Sequence, residues 1–140
     1  MIDIIGTLRQ IWRRANQIFN LSNAILVLTE TGGTLTADGT EQTVCLIDTP
    51  LRAFKPLKVK IDCTDMTWGD TTIIRWYERI DDGGNLRLKD EEHLDGPQNV
   101  WPLSVMKNIE LEPNRFGFQI SLEQTAGTNR DYMWELLTDV

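Results

Sequence analysis

Between residues 56 and 63, Leu57, Val59, Ile61 and Cys63 alternate with Lys58, Lys60 and Asp62. Successive strand side chains point to opposite faces, so this period of two predicts a strand with one apolar and one charged face. Residues 71–80 are rich in Thr, Ile, Trp and Tyr, which fit a pleated surface, and Trp68-Gly69-Asp70 supplies a turn before them. Residues 56–80 therefore read as a hairpin with a long loop. Upstream, Ile4, Leu8, Ile11, Ala15 and Ile18 recur at spacings of three and four, and Ile5, Trp12 and Phe19 broaden the stripe. That spacing predicts an amphipathic helix over residues 2–20, with Arg9, Gln10, Arg13, Arg14 and Gln17 on its polar side.

The remaining pattern is one of short strands. Residues 24–29 form a short apolar run before Gly32-Gly33 and read as a strand. Residues 37–40 carry a turn signal, residues 42–48 alternate as a second strand that stops at Pro50, and residues 52–56 read as a crossing segment. Glycines in residues 81–85 predict a hairpin into a strand at 86–89, followed by an irregular piece at 90–102. Residues 103–112 alternate weakly and residues 116–123 clearly. After a loop at 124–130, Tyr132, Trp134 and Leu136 alternate with Met133 and Glu135, closing the chain on a hairpin. About eight strands with Gly, Pro and Asp turns and a single initial helix predict an all-β, antiparallel two-sheet sandwich of jelly-roll type. The domain reading is a helical arm at 1–23 and a sandwich at 24–140. Val59, Ile61, Trp76, Phe118, Ile120 and Trp134 are the expected core.

A chain of 140 residues is large enough to bury one core without metals or disulfides. Cys45 and Cys63 fall in separate predicted strands; the expectation is two reduced core thiols, with a bridge geometrically open. No apolar stretch is long enough to span a membrane. Arg13 and Arg14 interrupt the apolar run near the start and no small-residue cleavage site follows, so a cytosolic product is expected. The net charge of −7 is uneven: residues 1–23 carry +2, and the rest, with 11 basic and 20 acidic side chains, carries −9. An acidic body argues against a nucleic-acid partner, which demands clustered Lys and Arg. The apolar stripe has three possible seats: its own sheet, a neighbouring subunit, or a membrane surface entered by Trp12 and Phe19.

Catalytic chemistry has little to stand on. His93 is the single histidine, beside Glu91 and Glu92, and it reads as a solvated loop residue rather than a base. Gly32-Gly33-Thr34 and Gly83-Gly84 lack the helix and lysine of a phosphate loop and read as turns. Asp81, Asp82, Asp90, Glu91, Glu92 and Asp95 would have to converge to hold calcium, and none has EF-hand spacing. No cofactor or metal is expected. Trp68 and Trp101 fall in predicted loops, where they are candidate contacts for a sugar ring or for another subunit.

The runs Thr36 through Thr43, Val59-Lys60-Ile61-Asp62 with Gly69-Asp70-Thr71, Ile74-Arg75 and Tyr77, and Glu123 through Arg130 with Trp134-Glu135 carry a likeness. Together they resemble small β-sandwich proteins encoded among structural genes of tailed viruses of archaea and bacteria. The resemblance covers residues 34–137 and leaves the helix outside. It implies a virion component, such as a decoration or minor capsid protein, made in the host cytoplasm, with no catalytic residue to carry over. Its implied partners are other copies of itself and other virion proteins. Subunit contacts are expected through Ile4, Leu8, Ile11, Trp12, Ala15, Ile18 and Phe19. The alternative is a carbohydrate-binding module, with glycans as partners of the loop tryptophans.

Overall fold

The computed structural model describes the backbone of residues 4–25, 28–48 and 55–139, and side chains within 4–16, 31–48 and 58–138. Among the described residues, helix α1 (Ile4–Ile25) precedes eight strands: β1 (Leu28–Thr36), β2 (Glu41–Ile47), β3 (Lys55–Asp62), β4 (Thr71–Glu78), β5 (Arg87–Asp95), β6 (Met106–Glu110), β7 (Phe118–Ala126) and β8 (Asp131–Asp139). They pair antiparallel into two four-stranded sheets with orders β1-β8-β3-β6 and β2-β7-β4-β5. That interleaved order is the jelly roll. Its core is the layer between the sheets, where Val59 and Ile61 of one sheet meet Ile74, Phe118, Ile120 and Leu122 of the other, all essentially inaccessible to solvent.

Several sequence expectations need correction. Both expected strands are present, and β3 alternates as read from Lys58 onward, but they lie in different sheets, so residues 56–80 form an arch across the sandwich and not a hairpin. β7 and β8 are split in the same way, so the chain does not close on a hairpin. Periodicity reports which face is buried and says nothing of which strand lies alongside. The helix runs on to Ile25 because Leu21 and Ile25 continue the spacing of three and four from Ile18; the strand expected at 24–29 begins instead at Leu28. Gly32 and Gly33 are inside β1 and are not turns. A Cβ on Gly32 would lie 2.7 Å from the Trp134 carbonyl, whereas one on Gly33 would make an ordinary contact with the Trp134 indole, 3.5 Å away. Residues 90–95, expected to be irregular, belong to β5, an edge strand whose charged side chains hide its alternation. Trp76 and Trp134 pack against the core but are only half-buried. The expected crossing segment at 52–56 lies mostly outside the described residues, although residues 55 and 56 open β3.

Both thiols are free and buried, and burial pushes Cys45 and Cys63 up to about 12. No helix among the described residues is long and apolar enough to cross a membrane.

Candidate functional site

The register places four connections at one end of the sandwich. Thr36 pairs with Asp131, Asp62 with Met133 and Met106, and Thr71 with Asp95 and Ala126. Residues 37–40, 63–70, 96–105 and 127–130 therefore share this end. The opposite end holds the starts of β1 and β3, paired with Asp139, and so the root of α1.

Asp70 ties the first end together. Its side chain is 1% exposed; it accepts from the amides of Thr67 at 2.8 Å and Thr128 at 3.1 Å and from Arg130 Nε at 2.8 Å. Burial pushes the Asp70 carboxyl up, but these donors together outweigh it and hold the group below its ordinary value. The Asp70 carbonyl accepts from the Gly96 amide, so three of the connections meet on one residue. Gly127, at φ 88°, leaves space that a side chain would take from Asp70. Beneath lies Gln124, which accepts from the Arg130 amide and the Tyr132 hydroxyl and donates to the carbonyls of Ala126 and Thr128. On this clamped base stand Trp68, 82% exposed with its ring against Gly96, and Trp101, 91% exposed. Sequence reasoning found both tryptophans but missed Asp70. The clue was an Asp after Trp-Gly at an arch, with an Arg in the Gly-Thr-Asn-Arg loop.

The other predicted residues lie elsewhere. Ile4, Leu8, Ile11 and Trp12 are 58–68% exposed on α1, and Ala15 is exposed too. Ile18 and Phe19 fall where side chains lie outside the described residues. His93 is on the outer face of β5, and its Nε2 is 2.9 Å from Glu91 Oε1. Asp81 and Asp82 sit in the β4–β5 hairpin and Asp95 at the far end of β5, so the acids considered for calcium are strung along the strand. At the helix end, Arg79 donates to Asp48 and to the carbonyls of Gly84 and Phe116, a counterpart to the Asp70 clamp.

On the outer face of β1-β8-β3-β6 lies a depression of about 370 Å³ lined by Thr34, Asp62, Thr64, Asp65, Asp131 and Met133. A second hollow of about 170 Å³ adjoins it at Asp62 and Met133, with Lys60, Met106, Trp134 and Glu135.

No protein-family model matches the sequence, and no curated protein matches it either. Among solved structures the chain is similar to PirA at 12% identity and a TM-score of 0.44, covering 76% of this chain and 90% of that one. It is also similar to VP2 of infectious bursal disease virus, from a subviral particle, at 7% identity and a TM-score of 0.42. That match covers 80% of this chain and 32% of VP2. Both likenesses are distant; the two-sheet sandwich is established by the strand pairing itself.

Proposed function

We propose that this protein is a non-enzymatic structural subunit of a viral particle, a decoration or minor capsid protein acting through subunit contacts. The observation that carries the reading is the open stripe of α1. A closed sandwich already buries its inner faces, and a further apolar surface of several turns, exposed at Ile4, Ile5, Leu8, Ile11 and Trp12, needs a partner. The virion setting rests on the resemblance of residues 34–137. The decisive experiment compares particles of the virus that encodes the chain, carrying either the wild type or a Leu8→Glu/Trp12→Glu variant. The wild type is expected in stoichiometric amount and the variant, folded by circular dichroism, is expected to be absent. Full occupancy by the variant, or a wild type missing from particles, overturns the reading. His93→Ala is expected to assemble as the wild type does.

A second reading is supported by Trp68 and Trp101. Both stand exposed on a clamped end of the sandwich, opposite the end where β1 starts, as flat faces for stacking on sugar rings. Glycan binding lost in Trp68→Ala and Trp101→Ala variants, with α1 intact, would favour it.

A further inference from the structure

The register aligns one row of side chains across the outer face of β1-β8-β3-β6: Thr34 beside Met133, Met133 beside Asp62, and Asp62 beside Met106. Met133 is 63% exposed and Met106 41%. The two hollows meet at Asp62 and Met133, making one groove floored by Met133 and Met106, with Lys60, paired with Glu135, at the end away from the loops. Asp62, Asp65 and Asp131 rim it toward the loop end, and none of the three pairs with a cation among the described residues.

Helix α1 has the complementary pattern. At 100° per residue, Arg9 borders the stripe beside Ile5 and Trp12, and Arg14 borders it beside Ile11. There is no acidic residue between Ile4 and Ile25. Methionines are flexible and adapt to an apolar helix face, helix-in-groove recognition seats that face on an apolar floor, and a rim of opposite charge steers it. An anionic membrane would attract the arginines too, but it would repel the acidic body that carries them.

We propose that the groove between Met133, Met106 and Asp131 receives helix α1 of a second copy of this chain. This deepens the reading of α1 as a subunit contact and rests on it. The helix is rooted at the Leu28 end of β1, whereas the groove lies at Thr34 toward the other end, and the molecule's own stripe stands open. Seating α1 in the next copy's groove joins unlike surfaces: two copies that exchange helices close as a two-fold dimer, and copies that do not reciprocate propagate to a ring or a row.

The test uses full-length chains with one new cysteine each, since buried Cys45 and Cys63 stay silent. A Leu8→Cys chain is mixed with a Met133→Cys chain and oxidised mildly, and the linked species are identified by mass spectrometry. The expected product is a mixed dimer bridged between positions 8 and 133, with its yield lowered about tenfold by adding Asp62→Lys and Asp131→Lys to the groove chain. Dimers bridged only from position 8 to position 8 overturn the groove but leave α1 a subunit contact. A Leu8→Cys/Met133→Cys chain that bridges within itself as a monomer overturns both, because the helix then seats on its own sheet. Absence of any bridge, with wild-type chains binding phosphatidylserine vesicles, also overturns both. Absence of a bridge with oligomers seen by light scattering overturns the groove alone; absence with monomers overturns both.

Discussion

The outer faces of the two sheets have the same alternating origin and are finished differently. On β2-β7-β4-β5, Arg75 lies within 3.5 Å of Glu41, 3.1 Å of Glu91 and 2.6 Å of Glu123. Ser121 and Tyr77 donate to Glu41, and these two hydroxyls hold its carboxyl below the ordinary value. Lys89 bridges Glu78 and Glu112. On β1-β8-β3-β6 the described residues make one ion pair, Lys60 with Glu135 at 3.7 Å, while Asp62, Asp65 and Asp131 surround the exposed Met133. The first face satisfies its charges within the chain and has little to gain from a partner. The second leaves acid and apolar surface open together, and a basic amphipathic segment relieves both.

The largest expected effect lies beneath both faces. Phe118 is 1% exposed in the layer the sheets share, and Phe118→Ala is expected to lose about 3–5 kcal/mol, read by urea unfolding. A loss under about 1 kcal/mol would mean that the faces do not rest on a common core and cannot be compared as two sides of one layer. Next comes the clamp that fixes the loop end of both sheets. Asp70→Ala strands two amides and Arg130 without their acceptor and is expected to cost about 2–3 kcal/mol. Because the folded pKa of Asp70 is lowered, its contribution is present in full above the ordinary carboxylate range, near 4, and is lost as pH falls through the folded value. The gap between wild type and Asp70→Ala should therefore narrow in acid. A gap that is constant down to pH 2 would show that the carboxylate charge does not hold the loops.

How much of this was legible in the sequence depends on the range of the interaction. Phe118, Ile120, Val59 and Ile61 were readable as core because burial of one strand face is written in that strand's own period of two. The partners of β3 were not readable, since β8 and β6 lie far along the chain and nothing local distinguishes an arch from a hairpin. Gly32-Gly33 misled for a related reason: the carbonyl that crowds Gly32 belongs to Trp134, far along the chain, and a local reading can assign the pair only to a turn. Trp68 and Trp101 were legible as loop residues because no period claimed them. The groove was invisible, because Thr34, Met133, Asp62 and Met106 meet only through the register of four strands.

A moderate effect is expected on the self-satisfied face. Arg75→Leu removes the one cation among Glu41, Glu91 and Glu123, leaving three acids on neighbouring strands to repel one another. A cost of about 1 kcal/mol at low salt, shrinking as salt rises, is the expected outcome of urea titrations. Self-association should not change, because this face has no role in the contact. If Arg75→Leu dissolves oligomers while Met133 variants do not, the two faces have been assigned the wrong way round.

The smallest effect on stability is expected at Met133, and there the comparison is sharpest. Its side chain is 63% exposed between Thr34 and Asp62, so Met133→Lys removes little buried surface and places a cation among carboxylates; unfolding free energy should move by less than about 0.5 kcal/mol. The same change puts positive charge on the floor of a groove meant for a helix flanked by Arg9 and Arg14, so association should weaken sharply while the fold is untouched. Urea titration and light scattering on one preparation read the two quantities separately. A Met133→Lys chain that assembles as well as the wild type would mean that this face, for all its open acid, is as complete in the free molecule as the face built around Arg75.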